Sequence, residues 1–139
     1  MQNLFINPED EFVIEFIVAI EKDGTIFCDI KKDSLAKYLT ELGKKIEECG
    51  VEEYKAVFRK PSFGDTMKLY DSIFSVATDT SVSFNPVLAR YNKIVALIKR
   101  WNLKGKDEKP TEKEIRQLHP IIANVIGTQI DMETGGILS

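Results

Sequence analysis

The chain has 139 residues, 43% hydrophobic and 29% charged, a length and balance that fit one folded domain and exclude a disordered chain. A formal net charge of −3 argues against a general nucleic-acid binder, whose footprint is an excess of Lys and Arg. Two cysteines without a C-x-x-C pair, Cys28 and Cys49, and one histidine exclude a zinc site of standard spacing and predict free thiols in a reducing compartment.

The N-terminus MQNLFINPEDE has neither the basic stretch nor the small-residue cleavage site of a secretory signal. Residues 12–20 (FVIEFIVAI) are rich in Val, Ile and Phe and read as a strand. Glu15 interrupts them, and the run is far short of the roughly 20 apolar residues that a membrane span needs. Both observations predict a cytosolic protein without membrane association. Asp23-Gly24 signals a hairpin turn, because such turns need residues tolerant of positive φ, and residues 25–30 (TIFCDI) return as a second strand. Phe12, Ile14, Phe16, Val18 and Ile20 share one face; Val13, Glu15, Ile17 and Ala19 share the other. Both faces are largely apolar, which predicts helices on one side and makes a partner subunit a candidate cover for the other.

Residues 31–50 predict one helix: Asp33 or Ser34 caps it, Leu35, Tyr38, Leu39, Leu42 and Ile46 recur at helical spacing, and Gly50 closes it. Residues 53–60 alternate as a third strand, which Pro61 ends because proline cannot donate to a ladder. Ser62 and Asp65 fit a capping pattern that opens a helix bearing Met67, Tyr70, Ile73 and Phe74. Residues 75–83 (SVATDTSVS) read as a polar loop. Asn85-Pro86 starts the next helix. Its stripe of Leu88, Tyr91, Ile94, Val95, Ile98 and Trp101 is expected to face the core, with Arg90, Lys93 and Lys99 mostly opposite.

Residues 103–110 form a charged linker. Thr111 to Glu114 is a second capping box, opening a helix with Ile115 and Leu118 that Pro120 must kink or divide. Its continuation runs through Ile121, Ile122, Val125, Ile126 and Ile130, weakened by Gly127. The tail, residues 134–139, lacks periodicity and reads as mobile, with Ile137 and Leu138 as an exposed apolar end. The predicted class is α+β: an N-terminal β-hairpin or small antiparallel sheet packed on a mainly helical C-terminal part of four to five helices. A single domain spans 1–139, with hairpin, helix and third strand in 1–60 and the helical part in 61–133.

Catalytic signatures are missing: there is no G-x-G-x-x-G, no P-loop lysine motif and no G-x-S-x-G elbow. His119 directly precedes Pro120 and reads as structural. The glutamates of IEECGVEE (46–53) read as a solvated patch. The stretch FRKPSFGD (58–65) is more informative. Arg59 and Lys60 beside a helix start have the makings of an anion site, but Asp65 in that first turn would satisfy its amides and repel a phosphate. The stretch therefore reads as a strand-to-helix joint whose cations are open to a partner's acidic rim. Trp101 reads as a core or helix-packing residue. No enzyme chemistry, cofactor or metal is expected.

RKPSFGD before a central helix, LIKRWNL at the end of the next, a charged gap and then a P-x-T-E-x-x-I-x-x-L-x-P-like pattern follow one another. In this chain the last pattern falls on Pro110, Thr111, Glu112, Ile115, Leu118 and Pro120, with proline and threonine adjacent. Over residues 57–133 this order resembles the tail assembly chaperones of long-tailed bacteriophages. The resemblance implies a small, mainly helical, non-enzymatic protein of the host cytoplasm. Such a protein binds the tape-measure protein, keeps it soluble while tail-tube subunits assemble, and often self-associates. A chaperone for a long helical client needs an exposed apolar groove with a charged rim. Candidate contacts are Arg59, Lys60, Phe63, Trp101, Ile137 and Leu138, with the outer face of the hairpin. Residues 1–56 lie outside the resemblance, so a structural component of the virion tail or baseplate stands as the alternative, and an anion-binding domain centred on Arg59 and Lys60 as a third reading.

Overall fold

A computed structural model of the chain describes residues 4–76, 82–84 and 86–135. The first strands are β1 (Glu11–Ile20) and β2 (Ile26–Asp29), joined at the predicted turn. Helix α1 (Lys32–Glu41) and a short 3-10 turn (Ile46–Glu48) lead to β3 (Gly50–Arg59). Then follow α2 (Phe63–Ile73), a small hairpin of β4 (Phe74–Val76) and β5 (Val82–Phe84), α3 (Pro86–Leu97) and β6 (Ile98–Trp101). The chain closes with α4 (Glu112–Arg116) and α5 (Pro120–Glu133). The main sheet is antiparallel in the order β2-β1-β3-β6, and most of the helical residues lie C-terminal to β3, a mixed α+β fold.

The alternation along β1 sets the layers. Phe12, Ile14, Phe16 and Val18 face inward with Ala56, Phe58 and Trp101, and pack on Ile94, Leu97, Ile115, Ile126 and Ile130 from α3, α4 and α5. Phe12 stacks on Phe58 with ring centroids 5.6 Å apart. Burying this many large side chains contributes roughly 2 kcal/mol each before ordering costs. The other face is divided. Because β2 and β3 are both antiparallel to β1, they run parallel to one another, and their connection must cross β1. That crossover lays α1 over the outer face, where Leu35, Leu39 and Ile46 cover Ile17 and Ala19. The partner subunit considered for this face is thus replaced, over half of it, by the chain's own helix. At the other end Val13 stays exposed beside Glu11, which pairs with Lys99 at 3.0 Å and Arg100 at 3.5 Å.

Several expectations are corrected. The helix read across 31–50 ends at Glu41. Gly43, with φ +76°, and not Gly50, supplies the left-handed residue: Lys44 N–H bonds Leu39 O at 2.8 Å and Gly43 N–H bonds Thr40 O at 3.0 Å, a Schellman closure. Its first turn starts from Lys31 without a side-chain cap, so neither Asp33 nor Ser34 fills that role. Gly50 instead begins β3, and Leu42 falls outside the buried stripe.

The helix expected to reach Trp101 ends at Leu97. Ile98–Trp101 becomes an edge strand on β3, pairing Ala56 with Trp101 and Phe58 with Ile98 across a register shift. The open ladder of β3 satisfies backbone groups there as well as a further helical turn would. The linker after it is pinned too: Trp101 and Glu108 exchange backbone bonds of 2.9 and 3.0 Å, and Pro110 is buried. Lys93, expected opposite the core stripe, is 5% exposed and pairs with Asp131 of α5. Leu88, expected in the stripe, is exposed.

The loop read across 75–83 contributes to the β4–β5 hairpin, and Phe74 belongs to β4, not to α2. Asn85, expected as a cap, lies outside the described residues, as does 77–81; α3 begins at Pro86. The box at Thr111 and Glu114 forms on both sides, Glu114 N–H to Thr111 Oγ1 at 3.2 Å and Thr111 N–H to Glu114 Oε1 at 3.1 Å. Pro120 divides α4 from α5, and His119 caps the second, its Nδ1 accepting Ile121 N–H at 3.2 Å.

Candidate functional site

The stretch 58–65 is a joint held by one ion pair. Phe58 is buried in the core, so the next residue in β3, Arg59, emerges on the opposite face of the sheet. Its guanidinium meets Asp65 with two bonds, Nη1 to Oδ2 at 2.5 Å and Nη2 to Oδ1 at 3.1 Å, while Nε donates to Ala96 O at 3.1 Å near the end of α3. Asp65 also accepts Ser62 N–H at 2.9 Å and Ser62 Oγ–H at 3.0 Å, and its own N–H bonds Ser62 Oγ at 3.2 Å. The Arg59 bonds hold the Asp65 carboxyl down to about 2; burial opposes them, and the Ser62 bonds add to them. One arginine therefore ties the end of β3, the first turn of α2 and the end of α3. An anion at Arg59 would have to displace Asp65. Lys60 is exposed, and its backbone N–H bonds Asp10 O at 2.9 Å.

The joint fixes which face α2 turns to water. On α2, Phe63, Met67 and Tyr70 are spaced i, i+4 and i+7, so they fall within an arc of about 60°. They are 76%, 58% and 52% exposed, whereas Leu69, outside that arc, is buried. Helix α3 packs beside α2 and carries Val87 and Leu88 in its first turn, which are also exposed. Exposed Lys60, Lys68 and Asp71 add charge around the strip. Aromatic residues and methionine are enriched at protein-binding surfaces, where methionine adapts to irregular partners.

The predicted contact residues are thus distributed unequally. Phe63 lies on this strip, with Lys60 at its near end. Arg59 is engaged within the fold. Trp101 is buried in β6, forming part of the wall of a cleft of about 280 Å³ with Tyr54, Leu118 and Ile122. Ile137 and Leu138 lie outside the described residues. Met67 and Tyr70 were legible in the sequence as helix positions, yet their outward direction follows only from Leu69 facing inward.

Other chemistry is sparse among the described residues. No group of three or more His, Cys, Asp or Glu side chains is arranged to hold a metal, and no helix is long and apolar enough to cross a membrane. Burial, with a smaller contribution from Asp29, pushes the Cys28 thiol up to about 12, so it is neutral at physiological pH. No family model, curated protein or solved structure matches the chain.

Proposed function

We propose that this chain is a non-enzymatic protein-binding module of phage tail assembly, which shelters an apolar helical segment of the tape-measure protein against α2. The observation that carries the reading is the outward strip of Phe63, Met67 and Tyr70, three large apolar side chains exposed along one helix. They fall within the RKPSFGDTMKLYD segment that bears the resemblance to tail assembly chaperones. A client helix with apolar residues at the same spacing can lie along such a strip, while Lys60, Lys68 and Asp71 discriminate register by charge. The Arg59–Asp65 pair orients the first turn of α2, so the strip needs little ordering on binding. The work is done in the host cytoplasm by covering surface, without a chemical step.

Co-expression with the tape-measure protein of the same genome tests this. The wild type is expected to co-purify with it and to raise its soluble yield. Replacing Phe63, Met67 and Tyr70 together by Ala is expected to weaken the complex at least about 100-fold, since central apolar anchors are worth about 1–2 kcal/mol each. Binding that survives this change, or a wild type that does not co-purify, sinks the reading. A transient role also predicts that purified virions lack the protein; stoichiometric presence there favours a structural tail or baseplate component.

A further inference from the structure

The free edge of β2 opens, at Phe27 and Cys28, into a groove of about 580 Å³ that is separate from the α2 strip. Glu21 N–H bonds Thr25 O at 2.9 Å, which makes that pair a hydrogen-bonded one in the β1–β2 register. Bonded and non-bonded pairs alternate, so Phe27 and Asp29 turn their backbone groups toward β1, and Ile26 and Cys28 turn theirs to the open edge. Beyond Cys28 the edge is closed, because Ile30 N–H is taken by Asp29 Oδ1 at 2.7 Å. Tyr38 of α1 overhangs the groove from one layer, edge-on to Phe27 at 6.2 Å, and Ile121 and Asn124 of α5 overhang it from the other.

Arg90 is the only charged residue among the described residues that line this groove. Among the described residues its guanidinium has neither a hydrogen bond nor an ion pair. Its stem is held by a close approach to α5: an ideal Cβ on Gly127 would lie 2.6 Å from Arg90 Cγ and 2.7 Å from Cδ and Nε. The glycine that weakens α5 by about 1 kcal/mol relative to alanine is also what lets this arginine cross the helix. A half-buried cation without a counter-charge, beside two open backbone positions and apolar walls, selects its occupant by charge and by shape.

We propose that this groove binds an extended peptide segment carrying an acidic residue, which adds a short strand to the β2 edge at Ile26 and Cys28 and places its carboxylate on Arg90. The backbone bonds supply register, and Phe27 and Ile121 take flanking apolar side chains. The proposal is independent of the α2 reading.

Nuclear magnetic resonance titration of the full chain with acetyl-Thr-Val-Glu-Val-Thr-amide tests it. The amides of Ile26 and Cys28 and the side chain of Arg90 are expected to shift together. The matching peptide with Gln in place of Glu is expected to bind about tenfold more weakly, the loss of one charge-assisted contact. Arg90→Ala should bring the two peptides to equal affinity, and Arg90→Lys should keep part of the preference. Gly127→Ala, which favours the helix but fills the slot, should also weaken the Glu peptide selectively. Equal binding of the two peptides by the wild type overturns the proposal, as does a preference that persists in Arg90→Ala. So does a response to free 3-phenylpropionate at Arg90 with no response to the peptide at Ile26 and Cys28, which marks a small organic acid site instead.

Discussion

Asp65→Asn removes the charge that Arg59 grips while keeping an oxygen to accept Ser62 N–H. The carboxyl falls from its ordinary 3.8 to about 2 in the folded chain, chiefly through Arg59. A depression of that size corresponds to about 2.5 kcal/mol of stability when fully expressed. The Asp65 and Arg59 side chains are 21% and 33% exposed, so solvent screening reduces the expected cost to about 1–2 kcal/mol. The folded value is lowered, so this stability is fully present above the ordinary value near 3.8 and is lost as pH falls toward about 2. Urea unfolding followed by circular dichroism in low salt, near pH 7, 4 and 2, measures it. Wild type and Asp65→Asn should differ by the full amount near neutrality and converge at the acid end. A difference that persists undiminished near pH 2, or one below about 0.3 kcal/mol at neutrality, refutes the assignment of Asp65 as the partner that holds α2.

Two further outcomes concern one buried and one half-buried group. Asp131→Asn leaves the ammonium of Lys93 buried without its counter-charge and should cost about 3–5 kcal/mol, whereas Lys93→Met, which removes the charge itself, should cost under about 1. Thermal unfolding of both variants checks the asymmetry, and equal losses contradict it. Cys28, its thiol pushed up to about 12, should resist iodoacetamide near pH 8 in the folded protein and react readily in urea. Mass spectrometry of the digested chain reads this, and comparable labelling in both states argues against the burial.

Local signals decided much of this protein independently of packing. Alternation in residues 12–20, the Asp23-Gly24 turn, the proline at 61, the paired cap at Thr111 and Glu114 and the break at Pro120 all act within a few residues. Their outcome depends on backbone sterics and nearby hydrogen bonds, so the corresponding elements form where the sequence puts them. The joint at 58–65 belongs with these: Pro61 ends the strand, and Ser62 with Asp65 starts the helix.

Long-range competition decided the rest. Ile98 to Trp101 continues a helical stripe as well as it fits a strand, and only the open edge of β3, some forty residues earlier, selects the strand. Periodicity carries residues 31–50 as one helix, but α1 crosses β1 and must then turn back into β3, so Gly43 ends it early. The same applies to the sites. Arg59 reads as a free cation in one dimension and finds both Asp65 and Ala96 O in three. Arg90 reads as a solvated helix position and is instead seated against Gly127 of α5, with no partner among the described residues. Charge and spacing along a chain state which groups exist; which of them are neutralised, and which are left facing water or a partner, is set by packing between elements distant in sequence.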